Sequence, residues 1–247
     1  MPMKLAVFNN KGGVGKTTLS IILTQIAIMR NRKVLAVDQD EQANFYASLR
    51  YMKEKKMYPD LFRLDTVIKA EYLNNPSYDL MIIDCAPGFN AITNSAIQKA
   101  DIILIPVRPD SYGLMHLFKV REKAGDYKYL FQFPLVKVGF DSAQASQEAL
   151  RKIAGKKYTV IGDLPLHARI PANISSNLEK WWDMGVPTTF RAPFEHLYTR
   201  LEKLYETLMK LRKMEAAKKK KEYEEIGGYY DNPENAYIKL WGRKAKS

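Results

Sequence analysis

The chain is poor in the residues that build covalent or metal-held scaffolds. It has one cysteine, Cys85, and three histidines in 247 residues. A single thiol forms no internal disulfide, and no cysteine pair is present to hold zinc or an iron–sulfur cluster. Long apolar runs are also missing: nothing approaches the ~18–20 uninterrupted apolar residues of a membrane-spanning helix. The first residues lead directly into an apolar run, without a charged-then-apolar leader or small-residue cleavage site. The expectation is a soluble, cytoplasmic protein. Acidic residues are in deficit, 27 against 39 basic ones, for a net charge of +12. Such an excess favours a polyanionic partner, nucleic acid or an acidic membrane surface.

What is present is a regular alternation. Short apolar runs at Lys4–Phe8, Lys33–Val37, Tyr78–Ile83, Asp101–Pro106, Leu135–Phe140 and Tyr158–Ile161 read as strands. Between them lie helical patterns at Thr17–Arg30, Glu41–Lys55, Leu114–Ala124 and Ser146–Ala154. Continuous apolar strands separated by helices predict a doubly wound α/β fold, a mostly parallel sheet with helices on both faces. In such sheets ligands sit at the carboxyl ends of the strands. Three strands end in a polar or glycine-rich turn: after Phe8, at Asp38 and at Asp84. Those turns should converge on one site.

From Phe194 to Lys213, the spacing of Leu197, Leu201, Leu204, Leu208 and Leu211 predicts an amphipathic closing helix. The composition then shifts to a lysine run at Lys218–Lys221, three glutamates and Gly227-Gly228. The expected division is a folded α/β domain over 1–213 and a charged, partly helical tail over 214–247.

The first turn carries the chemistry. In Lys11-Gly12-Gly13-Val14-Gly15-Lys16-Thr17-Thr18, a glycine-rich bend lets successive backbone N–H groups cradle phosphate oxygens. The helix that follows adds the positive end of its dipole. Lys16 suits the β- and γ-phosphates and the Thr17 hydroxyl suits magnesium, which predicts ATP and Mg2+ as ligands. Asp38 and Asp40 in Asp38-Gln-Asp40-Glu-Gln42 can orient magnesium or water near the γ-phosphate. The alternative for either is to cap the helix beginning near Glu41. Asp84, ending an apolar strand, is a further candidate for the magnesium site. Cys85 is expected to be a packing residue.

The general phosphate-loop pattern wants glycine where Asn10 stands, and Lys11 follows instead. With that lysine at the start, the loop resembles the deviant Walker A ATPases of the ParA/MinD superfamily, and the resemblance covers roughly residues 3–213. It implies that Lys11 reaches across a dimer interface to the partner's ATP, so that ATP binding produces a homodimer. It also implies that Asp40 positions the attacking water, that Asp38 and Asp84 serve the magnesium environment, and that Pro87-Gly88 begins a switch segment. Glu41 replaces the family's usual proline and Ala86 the first of two prolines. The asparagine or threonine that helps read adenine in relatives is replaced within Val138-Gly139-Phe140-Asp141. The segment Leu166–Pro171 loosely resembles the base-side loop, and His167 reads as a surface histidine.

Two surfaces compete as the target of the switch. A ParA-like protein binds DNA non-specifically and is stimulated by a ParB-type centromere-binding partner; candidate DNA contacts are Arg191, Arg200, Lys203, Lys210, Arg212 and Lys213. A MinD-like protein docks on anionic membrane through a terminal amphipathic helix. Here Tyr237–Lys246 is short and interrupted by Gly242, which disfavours stable interfacial binding. The last 34 residues hold eight basic and six acidic side chains, so most of the +12 lies on the folded body. That favours DNA and a nucleoid-associated location. A third reading is a P-loop enzyme acting on a small molecule.

Overall fold

A computed structural model describes residues 2–56, 58–107, 133–138, 158–164 and 188–225. Side chains of residues 51, 52, 133–138, 158–164, 188–191 and 222–225 are outside that description.

The strands are β1 (Met3–Val7), β2 (Val34–Gln39), β3 (Phe62–Asp65), β4 (Leu80–Cys85), β5 (Ile102–Val107), β6 (Phe133–Val138) and β7 (Tyr158–Leu164). They form one seven-stranded sheet in the order β3-β2-β4-β1-β5-β6-β7. Every pairing is parallel. The expected doubly wound parallel sheet is therefore what the chain builds. Strands β4 and β5 are buried at every position, and β2 at all but its last. That explains their continuous apolar runs: a parallel sheet covered on both faces has no polar side.

Strand β3 is an addition to the strands read from the sequence. Among the described strands it lies at the edge of the sheet and pairs with β2. Only Phe62 and Leu64 of its four residues are buried, with Arg63 exposed between them. Six of the seven strands coincide with the expected runs, and β7 continues to Leu164.

Helix α1 (Lys16–Met29) is buried along nearly its whole length, which matches its largely apolar composition. It begins at Gly15, whose φ of 93° places it in the left-handed region that glycine tolerates. It ends in a Schellman motif: Asn31 takes φ 57°, its N–H bonds the Ile28 carbonyl, and the Arg32 N–H bonds the Ala27 carbonyl. Helix α2 (Asn44–Glu54) starts three residues later than expected, because Asp40–Ala43 forms a turn closed by Ala43 N–H to Asp40 C=O. Helix α3 (Ala91–Lys99) opens on a reciprocal capping box between Asn90 and Thr93. The expected helices at Leu114–Ala124 and Ser146–Ala154 lie outside the described residues.

Helix α4 (Thr188–Glu225) runs through the expected closing segment. The chain divides into two compact units, Met1–Tyr205 and Glu206–Ser247. Within the first unit, Phe194, Leu197, Tyr198 and Leu201 of α4 are buried. Arg30, just past the end of α1, donates to the Glu202 carboxylate at 3.0 Å and to the Thr199 hydroxyl at 2.9 Å. Its guanidinium also lies over the Tyr198 ring. Arg32 donates twice to the other Glu202 oxygen, at 2.8 and 3.2 Å. No helix among the described residues is long and apolar enough to cross a membrane.

Candidate functional site

The three turns picked out in the sequence meet at one place. Register puts Val7 beside Asp84 across β1 and β4, and Asp38 beside Asp84 across β2 and β4. The strand ends therefore bring the loop after β1, the carboxylates after β2 and the carboxylate of β4 to one rim of the sheet.

Asp84 is the centre of this rim. It is buried, with Thr17 Oγ1 donating to one carboxylate oxygen at 2.8 Å and Ser20 Oγ lying 2.9 Å from the other. Burial pushes its carboxyl up to about 7; the Thr17 and Ser20 hydroxyls and Lys16 pull it down, and Asp38 pushes it further up. Ser20 is a residue the sequence reading missed. Its signal is a hydroxyl three positions beyond Thr17, on the same helix face.

Lys16 is also buried, and its ammonium donates to the Lys11 carbonyl at 3.1 Å. Burial lowers its basicity, partly offset by the charges of Asp84 and Asp40. A buried ammonium satisfied by one neutral carbonyl has unused donors. The N-terminus of α1 has no side-chain cap and no acidic residue in its first turn. Gly13 adopts φ 68°, and a Cβ at Gly12 or Gly13 would project into open space, meeting nothing within 4 Å. An uncapped helix terminus, an under-used buried lysine and an open glycine cradle all fit a polyphosphate. Thr17 and Asp84 would hold the magnesium side of such a ligand, and magnesium when bound supplies charge neutralisation across the phosphates.

Asn9 is a second residue the sequence reading missed. It is buried, its Nδ2 donates to the Pro106 carbonyl at 2.7 Å, and its Oδ1 accepts the Lys11 N–H at 2.9 Å. It thereby ties the start of the loop, and Lys11 itself, to the end of β5. Lys11 is half-buried at the mouth of the loop. Phe8 packs on Phe89 with ring centroids 5.0 Å apart, joining the loop to the segment after Pro87-Gly88.

Asp38 is buried, and both its oxygens accept backbone N–H groups, from Asp40 at 3.0 Å and from Tyr46 at 2.7 Å. It organises the turn and the first turn of α2, the capping alternative raised for this pair. Burial nevertheless pushes its carboxyl upward. Asp40 is half-buried, and its Oδ1 accepts the Gln42 N–H at 3.0 Å. Cys85 is fully buried, and burial pushes its thiol up, so it packs rather than reacts. Among the expected DNA contacts, Arg200, Lys203, Lys210 and Lys213 are exposed and Arg212 is half-buried. Arg191 lies on α4, but its side chain is outside the described residues, as is that of Val138. Residues 139–141, Leu166–Pro171 with His167, and Tyr237–Lys246 also lie outside them.

The AAA domain family matches residues 3–75 and 67–126, half of the chain. This chain is an AAA domain of the ParA/MinD type. It is 28% identical over 141 residues to the chromosome-partitioning ATPase Soj of Thermus thermophilus, a match covering 45% of this chain and 57% of that protein. The chain spans a little over half the length of the curated relatives it matches. Among solved structures, the septum site-determining protein MinD of Pyrococcus horikoshii, complexed with Mg-ADP, superimposes with a TM-score of 0.64 at 18% identity, covering 84% of this chain and 99% of that one. A Borrelia burgdorferi plasmid partition protein bound to AMPPNP gives 0.61 at 17% identity, covering 82% and 98%. These two likenesses confirm the fold.

Proposed function

We propose that this ParA/MinD-type domain is a dimerising ATPase that binds DNA without sequence preference and partitions a DNA cargo with a ParB-type partner. The observation that carries the reading is the convergence of Lys16, Thr17 and Asp84 beneath an open glycine loop headed by Lys11. Lys11, Lys16 and Asp40 are the catalytic set, with Gly12, Gly13, Val14, Gly15, Thr17 and Thr18 on the phosphates. Thr17, Asp38 and Asp84 form the magnesium environment. Hydrolysis is slow and rests on positioning and charge neutralisation. A basic body supports DNA as the surface gripped, since lysine and arginine contacts to phosphates supply most non-specific affinity. The nucleoid follows as the place of action.

The test is binding of the full chain to random duplex DNA and to anionic vesicles, each with ATP, ADP or no nucleotide. ATP-dependent DNA binding that weakens steeply with salt supports the reading. Vesicle binding lost on deleting residues 237–247 would replace it with membrane docking of the MinD kind. Binding to neither would turn attention to a small-molecule substrate. Wild-type ATP-dependent dimerisation by Lys11→Ala would remove the trans-acting role of that lysine.

A further inference from the structure

A second concentration of positive charge lies away from the phosphate loop, at the outer edge of the sheet. From Arg50 to Lys69 the chain carries six basic residues, those two included, against three acidic ones. Here the end of α2, the turn that follows and β3 enclose a cleft of about 310 Å³, lined by Lys53, Lys56, Arg63, Phe62, Leu64 and Asp65 together with Pro59. Strands β2 and β4 separate β3 from the strand that carries the phosphate loop.

Two of the three cations of this cleft, Lys53 and Arg63, are held by neutral groups. Lys53 Nζ donates to the Tyr46 hydroxyl at 3.1 Å and reaches the Leu64 carbonyl at 3.5 Å, with its charge 5.1 Å from the Tyr46 ring centroid. Arg63 reaches the Tyr78 hydroxyl at 3.5 Å and sits 5.8 Å from the Tyr72 ring centroid. Asp65, the acid in the lining, is engaged elsewhere: it accepts the Tyr72 hydroxyl at 2.6 Å and pairs with Lys69 at 3.2 Å. Its charge is thus matched by Lys69, a cation outside the lining. The turn that carries Lys56 is also strained. Lys56 and Tyr58 both adopt left-handed backbone, φ 50° and 51°, without being glycine. Strain of this kind persists where the surroundings impose it, and it clusters at ligand clamps.

We propose that this cleft is a binding site for a phosphate ester. Two lysines and an arginine match the dianionic charge of a phosphate group better than the single charge of a carboxylate. Phe62 and Leu64, both buried in the strand behind, supply an apolar floor for the organic part. The volume stands at the lower end of the ~300–1,000 Å³ typical of small-molecule sites. The ester has two possible sources, a free phosphorylated small molecule or the backbone of a nucleic acid. This inference does not depend on the role given to α4 or on ATP hydrolysis.

The full-length chain, with its phosphate loop saturated by Mg-ADP, is titrated with phenyl phosphate while the amide resonances of residues 53–65 are followed. Saturable shifts centred on Lys56, Arg63 and Leu64 are expected. The double variant Lys56→Gln/Arg63→Gln, both positions exposed, should weaken the binding at least tenfold without altering ADP affinity. Displacement of phenyl phosphate by a random duplex assigns the site to nucleic-acid backbone; retention against the duplex assigns it to a free ester. Equal binding by wild type and double variant, or an absence of saturable shifts, overturns the proposal while leaving the ATPase reading untouched.

Discussion

Replacing Asp84 with asparagine should stabilise the protein in the absence of nucleotide, and do so more as the pH rises. Asp84 is buried between Thr17 and Ser20, and burial holds its carboxyl at about 7 in place of 3.8. Between those values the folded state keeps a proton that the unfolded state has released, so stability falls as pH climbs from about 4 to about 7. At about 1.4 kcal/mol per pH unit, the full cost reaches roughly 4 kcal/mol above pH 7 and roughly 1.5 kcal/mol at pH 5. The asparagine side chain has no charge to bury. It gives up one acceptor oxygen, at a cost of about 1 kcal/mol that is independent of pH. The advantage of Asp84→Asn over wild type should therefore grow by about 2–3 kcal/mol between pH 5 and pH 8. For a chain of this size that is an increase of roughly 4–12 °C in relative Tm. Urea titrations of both proteins at pH 5, 6, 7 and 8, without nucleotide or magnesium, measure it directly. Parallel pH profiles would refute the reasoning, as would a variant several kcal/mol less stable at every pH. The same variant should lose the magnesium-dependent part of the stabilisation conferred by ADP, so that stability and ligand response move in opposite directions.

Gly12→Ala should leave urea stability within about 0.5 kcal/mol, because the new methyl meets nothing within 4 Å; if the cradle holds phosphate, ATP affinity measured by calorimetry should nevertheless drop at least tenfold. At the opposite end of the sheet, Asp101 is buried, pairs with Lys4 Nζ at 3.0 Å and accepts the Lys4 N–H at 2.8 Å. Asp101→Ala should cost about 3 kcal/mol by urea denaturation, while Asp101→Asn, which keeps an acceptor for that N–H, should cost nearer ~1–2 kcal/mol. Glu202→Gln should cost about 1 kcal/mol at low salt, and its effect should shrink in about 1 M NaCl, because both its arginine partners remain partly exposed.

The parts legible in the sequence were those in which one signal dominates. Buried parallel strands announce themselves as apolar runs, and the glycine-lysine-threonine spacing of the phosphate loop follows from the shape of a phosphate. Strand β3 escaped because Phe-Arg-Leu-Asp shows its alternation over too few residues to stand out from a loop. The start of α2 was misplaced because its limit is set by a turn whose last residue, Ala43, takes φ 50°, a conformation for which alanine gives no warning. Asn9 and Ser20 were invisible for a different reason. Each acts through a partner nearly a hundred or more than sixty positions away, and only the sheet order brings those partners near. Asp38 was found, but its attachment to the Tyr46 amide depends on where α2 begins.

Helix α1 has contacts of opposite character at its two ends. Its first turn presents Lys16, Thr17 and Ser20 to the phosphate site; just past its last, Arg30 and Arg32 grip Glu202. Fourteen helical residues make a rod of about 21 Å, buried along its sides and unable to bend without disturbing the core. Such a rod acts as a strut. A displacement of this helix at the phosphate loop would have to be absorbed in the core along its sides or at the Arg30 and Arg32 contacts with Glu202, which puts α4 at the far end of the same element that meets the nucleotide site.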